Sequence, residues 1–197
     1  MGQRLVVTIK YQKKELAKIY YHWSAYTTSA LLETEKLIDC IYNHEDETAK
    51  ELQLRLIRFC EENGGGIDND SYEFRYIEKM FPGESFVKEN YSRNYGLIAL
   101  SEKNMGSMQK WSEGDVEINL DDEVVEFCVL SWYESLKDYN RDQTWDENFT
   151  PLGYEDVVDI GYDLCQFNID DIHKITKIVT ELEDEICRYG DEVYEFM

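Results

Sequence analysis

Two runs of alternating residues near the start of the chain constrain its fold more than any other sequence feature. The first run covers residues 5–9 and the second covers residues 16–23, with the polar segment 11–14 between them. Side chains two positions apart lie on the same face of a β-strand, so a period of two predicts a strand. Two such runs joined by a short polar turn predict a β-hairpin.

Other parts of the chain show the spacing of three and four that is typical of helices. Helices are predicted over about 29–42, 46–63, 154–166 and 169–188. Gly64 follows the second of these and can adopt the left-handed conformation that ends a helix. Asn168 is the predicted N-terminal cap of the last one, and Gly190 can end it.

The middle of the chain returns to strand-like patterns. Strands are predicted over 97–100, 108–111, 116–120 and 124–133. Asp121 and Asp122 separate the last two and predict the turn of a second antiparallel hairpin. The uninterrupted apolar run 127–130 indicates a central strand that is covered on both faces.

This order of elements predicts an α+β fold in which an antiparallel sheet is backed by helices. Strands and helices do not alternate, which argues against a doubly wound parallel sheet. A length of 197 residues, 43% of them hydrophobic, with two prolines is typical of a single domain over 1–197. A subdivision near 64–94 is left open.

The five cysteines are odd in number, widely separated and free of any C-x-x-C pair. This pattern argues against a disulfide framework and a zinc site, and we expect no cofactor. We expect the cysteines to be small buried residues in a reducing compartment. No apolar run approaches the roughly 20 residues that span a bilayer. The first residues lack the apolar stretch of a signal peptide, so the expected location is the cytoplasm.

Charge is distributed unevenly along the chain. The net charge is −22, with 42 acidic and 20 basic side chains. Residues 1–100 contain 16 acidic and 13 basic side chains, whereas residues 101–197 contain 26 and 7. A negative field of this size repels phosphate backbones, so we expect no direct binding to DNA. A basic protein surface is the expected partner.

Two features of the sequence are compatible with a catalytic function. His22 lies among aromatic residues at the end of a predicted strand, where it is either a hydrogen-bonded structural residue or a titratable group of a site. The many carboxylates of the second half could hold a metal ion. Together they define the alternative function, a metal-dependent hydrolase or nuclease that uses clustered carboxylates with His22. No nucleophile elbow, H-E-x-x-H motif or phosphate loop is present.

The preferred hypothesis is that the carboxylates imitate nucleic acid. Alternate residues of a strand lie about 6.6 Å apart on one face, which is about twice the 3.4 Å phosphate step of one DNA strand. Asp115, Glu117 and Asp121 therefore predict an acidic row, with Asn119 among them. Acidic and aromatic residues of the following segment could extend it, because Tyr and Trp are favoured as interface anchors. The predicted partner-binding residues are Asp115, Glu117, Asp121, Asp122, Glu123, Asp138, Asp142, Trp145, Asp146 and Glu147.

The segments MGQRLVVTI (1–9) and IYYHWSAYT (19–27) resemble the start of a group of small proteins carried by phages and prophages of Gram-positive bacteria. The chain is also similar in size and acidity to phage anti-defence proteins, among them the anti-CRISPR inhibitors of Cas9. The resemblance implies a non-enzymatic inhibitor that occupies a nucleic-acid or PAM-reading groove of a host nuclease, with Cas9 or its guide-RNA complex as the partner.

The same resemblance leaves other mechanisms open. Some inhibitors of this set alter the guide RNA, and others act by allostery that a homodimer drives. An acidic structural or regulatory protein of the phage particle is the third class of function.

Overall fold

The computed structural model describes residues 4–22, 24–42, 44, 47–62, 97–129 and 166–181. Six strands lie in this part of the chain: β1 (Leu5–Tyr11), β2 (Lys14–Tyr21), β3 (Leu97–Ala99), β4 (Gly114–Asn119), β5 (Val124–Cys128) and β6 (Gln166–Asn168). The helices are α1 (Thr27–Ile41), α2 (Ala49–Glu62), α3 (Glu102–Gln109) and α4 (172–181). A 3-10 turn, Ile169–Asp171, leads directly into α4.

The six strands form one mixed sheet in the order β3-β2-β1-β4-β5-β6. The pair β1–β4 is parallel, and every other neighbouring pair is antiparallel. This arrangement confirms the α+β prediction and the two predicted hairpins, β1–β2 and β4–β5. The parallel pair at the centre of the sheet has no signal in the local sequence, because it joins segments more than 100 residues apart.

One face of the sheet carries the main hydrophobic core. Its central residues include Val7 on β1, Val116 on β4 and Phe127 on β5, which follow one another across the sheet. Helices α1, α2 and α4 contribute buried residues to the same cluster. Phe127 stacks on Phe167 of β6, with ring centroids 5.2 Å apart. Burial of this apolar face is the dominant force that holds the sheet and these helices together.

Side-chain caps mark the start of α2 and of the 3-10 turn that leads into α4. Thr48 and Glu51 form a reciprocal capping box at the start of α2: the Thr48 nitrogen donates to Glu51 Oε2 (2.8 Å) and the Glu51 nitrogen to Thr48 Oγ1 (3.3 Å). The Thr48 hydroxyl also donates to Glu51 Oε2 (2.6 Å), and this bond, followed by the one from the Thr48 nitrogen, lowers the pKa of Glu51. At the other end of the described chain, Asn168 accepts from the Asp170 nitrogen, as predicted.

The prediction of a strand over 108–111 is wrong. Residues up to Gln109 belong to α3, which Ser101 caps by accepting from the Asn104 nitrogen (3.3 Å). Met105 and Met108 are both buried and lie three positions apart, which is a helical spacing. The Ser101 cap and the helical spacing of the two methionines therefore favour a helix over the strand that the short apolar run at Met108 predicts.

Three further predictions need correction. The expectation that every cysteine is buried is wrong for Cys128, which is exposed on β5, and Cys40 is only half-buried. Glu126 is exposed as well, so the part of 127–130 on β5 is not covered on both faces. Gln166, expected at the end of a helix, begins strand β6 instead, because pairing with β5 decides its conformation. The rest of the predicted helix 154–166 and the segment 71–94 lie outside the described residues.

None of the helices within the described ranges combines the length and the apolar composition that a membrane span requires.

Candidate functional site

Acidic residues from two separate segments meet at one end of the sheet. The β4–β5 turn contains Asp121, Asp122 and Glu123, all three exposed. The turn before α4 contributes Asp170 and Asp171, of which Asp170 is exposed. The Ile169 nitrogen donates to the Glu123 carbonyl oxygen (2.9 Å), so the two turns are in direct contact. We call these five acidic residues the acidic corner.

Two asparagines hold the backbone of the acidic corner. Asn119 and Asn168 both pair with Val124 of β5, one from each neighbouring strand. Asn119 Oδ1 accepts from the nitrogens of Asp121 (3.1 Å) and Asp122 (3.2 Å), and Asn168 Oδ1 accepts from the Asp170 nitrogen (2.9 Å). Asn side chains favour such turns because they replace backbone partners. The acidic side chains are therefore presented by turns of defined geometry.

Asp121 also bonds to the neighbouring β1–β2 turn. Its two carboxylate oxygens accept from the backbone nitrogens of Gln12 (2.9 Å) and Lys13 (2.7 Å) in the β1–β2 turn. Both turn residues have positive φ, 53° and 62°. Positive φ at both positions is typical of the two-residue turn whose twist matches that of a hairpin. The carboxylate of Asp121 thus faces this turn. The Asp122 carboxylate accepts from Asn119 Nδ2 at 2.8 Å, within its own turn.

Asp115 and Glu117 lie on the face of the sheet opposite the main core, as alternation predicts. Both are half-buried and bound within the molecule. Asp115 Oδ1 accepts from Gln109 Nε2 of α3 (2.5 Å), and Glu117 forms an ion pair with Lys10 (2.5 Å). The hydrogen bond with Glu117 is the main cause that raises the pKa of Lys10. The predicted row stops at Asn119, because β4 ends there and Asp121 belongs to the turn.

A buried lysine organises the same face between β2 and α3. Lys18 is 5% exposed, and its Nζ donates to Thr8 Oγ1 and to Gln109 Oε1, both at 2.8 Å. Glu15 Oε1 lies 3.2 Å from the same nitrogen. Three acceptors match the three donors of an ammonium group, so Lys18 is satisfied by the protein. Gln109 links this lysine to Asp115.

His22 is a buried residue on the same face. Its Nδ1 lies 2.8 Å from the hydroxyl oxygen of Tyr20, which is buried as well. This is the arrangement that the structural interpretation of His22 predicts. Within the ranges that the structure describes, no three His, Cys, Asp or Glu side chains are grouped so that they could hold a metal ion.

The second half of the predicted partner-binding set belongs to a different part of the chain. Asp138, Asp142, Trp145, Asp146 and Glu147 lie outside the described residues. Conversely, sequence reasoning missed Asp170 and Asp171 as neighbours of the β4–β5 turn. The signal that could have found them is the alternation at Gln166, Phe167 and Asn168, which is too short to distinguish a strand from a helix start.

Comparisons with protein-family models, with curated proteins and with solved structures find no match to this chain.

Proposed function

We propose that this protein is a non-enzymatic inhibitor of a bacterial defence nuclease of the Cas9 type, and that it occupies a basic DNA-binding or PAM-binding groove as an acidic mimic of nucleic acid. The observation that carries the proposal is the acidic corner, where five carboxylates from two turns lie at one end of the sheet. The proposal also uses the resemblance of the N-terminal segments to phage-borne proteins.

Charge and rigidity both support this assignment. The backbone contact between the two turns concentrates five acidic residues at one end of the sheet, and a basic surface would be attracted to this negative charge. Asn119 and Asn168 restrain the turns that carry them, which lowers the conformational entropy that binding would cost. Complementary charge also accelerates association.

The predicted binding residues differ in how their carboxylates are bonded within the molecule. Asp122 and Glu123 are exposed, and the Asp122 carboxylate bonds to Asn119 of its own turn. Asp121 bonds to the β1–β2 turn, Asp115 to Gln109 and Glu117 to Lys10. We therefore expect Asp122 and Glu123 to contribute most to binding in the described part of the chain.

The test is competition between this protein and target DNA for a purified Cas9–guide RNA complex. The wild-type protein should reduce DNA binding and cleavage, and the effect should weaken as salt rises. Asp122→Lys and Glu123→Lys should each weaken inhibition about tenfold or more, which corresponds to about 1.4 kcal/mol. Asp122→Asn keeps a side chain able to bond to Asn119 and should lose less.

The matched control is Glu102→Lys, which makes the same change in net charge. Glu102 is exposed at the start of α3, close in the chain to β3, and β3 lies at the opposite end of the described strand order from β5 and β6. This variant should inhibit like the wild type, provided that thermal melting shows an intact fold. Absence of competition by the wild-type protein would overturn the proposal, and equal losses for Glu102→Lys and Glu123→Lys would overturn the role of the acidic corner.

A further inference from the structure

One histidine ring joins the first turn of α4 to α1. His173 Nδ1 lies 2.7 Å from Glu35 Oε1, and His173 Nε2 lies 3.0 Å from Asp39 Oδ1. Glu35 and Asp39 are four positions apart, so they lie on the same face of α1. The ring therefore bridges two carboxylates that are one helical turn apart. We call this group the His173 clamp.

The geometry of the clamp depends on the charge of the ring. A neutral imidazole has one N–H donor and one nitrogen with a lone pair, whereas the imidazolium ion has two donors. Both ring nitrogens of His173 are within hydrogen-bond distance of a carboxylate oxygen. A neutral ring would direct a lone pair at one of these oxygens. Only the imidazolium form satisfies both contacts.

The clamp lies next to the acidic corner. Asp170, three positions before His173, accepts a hydrogen bond from the Tyr42 hydroxyl at 3.3 Å, just beyond the end of α1. Lys36 on α1 is bound to Glu33 (3.4 Å), and Lys177 on α4 pairs with Glu181 (3.8 Å). The other charged groups described on the turn before α4 and on α4 are Asp170, Asp171 and Lys174.

We propose that His173 is a proton-dependent clamp that holds the first turn of α4, and with it Asp170 and Asp171, against α1. When the ring loses its second proton, one of the two carboxylate contacts is lost and this turn is held less firmly. The clamp belongs to the free protein and is independent of the proposed function.

The direction of the pH effect follows from the surroundings of the ring. The hydrogen bond with Glu35 is the main reason that the pKa of His173 lies above the ordinary value of 6.5. Partial burial opposes this shift, and the charges of Asp39 and Glu35 add to it. A histidine whose pKa is raised on folding stabilises the fold fully below its unfolded pKa. That stabilisation is lost as pH rises through the raised value. The ring is 61% exposed, so the effect is local and sensitive to salt.

The test follows His173 in the full-length protein by NMR between about pH 5 and pH 8. His173→Gln identifies its signal among the three histidines. The wild-type pKa should lie above 6.5 and fall toward that value in Glu35→Gln. Exchange rates of the first-turn amides of α4 are then corrected for their intrinsic pH dependence. The protection of these amides should fall about two- to fivefold as the ring loses its second proton, which is the size of effect expected from an exposed ion pair.

Glu181→Gln is the control, because it removes a carboxylate from α4 that pairs with Lys177 and not with the ring. It should leave both readouts unchanged. A pKa of His173 at or below 6.5, or one that Glu35→Gln does not move, would refute the clamp. Exchange protection that is equal on both sides of the titration, or equal in wild type and His173→Gln, would refute it as well.

Discussion

Asp121 accepts a hydrogen bond of 2.7 Å from the backbone nitrogen of Lys13, although the two residues are 108 positions apart in the chain. Its second oxygen accepts from the Gln12 nitrogen in the same way. Gln and Lys are not residues that favour positive φ, which usually calls for Asn or Gly. The carboxylate from the second hairpin therefore stabilises a strained turn in the first.

Replacing Asp121 should destabilise the protein. Asp121→Ala leaves two backbone N–H groups without this acceptor, and hydrogen bonds to a charged group are each worth about 1.5–3 kcal/mol. Because the turn is exposed and water can replace the carboxylate, we expect a loss of about 1–3 kcal/mol in the free energy of unfolding, measured in urea. The loss should shrink in a Lys13→Gly background, since glycine adopts the positive φ without strain. Equal losses in both backgrounds would contradict this coupling.

Gln109 should be important for stability although it lies on a short helix. Its side chain connects the buried Lys18 to Asp115 (2.8 and 2.5 Å). Gln109→Ala removes a partner from both charged groups, and we expect a loss of about 1–3 kcal/mol by chemical denaturation. Lys110→Ala, at the exposed C-terminal cap of α3, is the control and should cost less than about 0.5 kcal/mol. A Gln109→Ala variant as stable as this control would contradict the network.

Two glycines should respond in opposite directions to the same substitution. A Cβ added at Gly114 would lie 3.0 Å from the Ala25 Cβ and 3.3 Å from the Val129 Cα, so Gly114→Ala should cost about 1–3 kcal/mol. A Cβ at Gly106 in α3 meets nothing within 4 Å, and alanine is the better helix former. Gly106→Ala should therefore stabilise the protein by about 0.5–1 kcal/mol. Thermal melting of the two variants measures both signs, and a destabilising Gly106→Ala would show that α3 is packed differently.

Glu33 should make stability depend on pH in the acidic range. Burial raises the pKa of its carboxyl above the ordinary value of 4.5, while Lys36 opposes the shift. A carboxyl whose pKa is raised on folding favours the fold when it is protonated, so the unfolding free energy contributed by this group falls as pH rises from about 4.5 through the raised value. Glu33→Gln should therefore be more stable than the wild type at neutral pH and lose that advantage below about pH 4.5. Urea titrations at several pH values measure the difference, and a constant difference would contradict the assignment.

Local sequence patterns predicted strands and helices well where the period of the apolar residues matches the residues that are buried. The β1–β2 hairpin, α1, α2 and the β4–β5 hairpin lie close to their predicted positions. The errors occur where tertiary contacts decide. A three-residue strand such as β6 is too short to show a clear alternation of apolar residues, and its pairing with β5 decides its conformation. The short helix α3 was mistaken for a strand because its cap, Ser101, lies outside the apolar run.

The candidate site was predicted in part. Alternation placed Asp115 and Glu117 on one face of β4, and the pair Asp121–Asp122 predicted a turn. Whether a carboxylate is exposed or already bonded depends on residues distant in the chain, such as Gln109, Lys10 and Lys13. That distinction is the one that matters for binding, and it could not be read from the order of residues.

By itself, the sequence determined the α+β class, the two hairpins and the concentration of negative charge in the second half, because these follow from the period of apolar residues and from composition. Only the tertiary structure decided the parallel pairing of β1 with β4, the meeting of two acidic turns across β5 and β6, and the contact of His173 with α1. Each of these joins segments that are far apart in the chain, so each depends on how the shared core packs rather than on local preference.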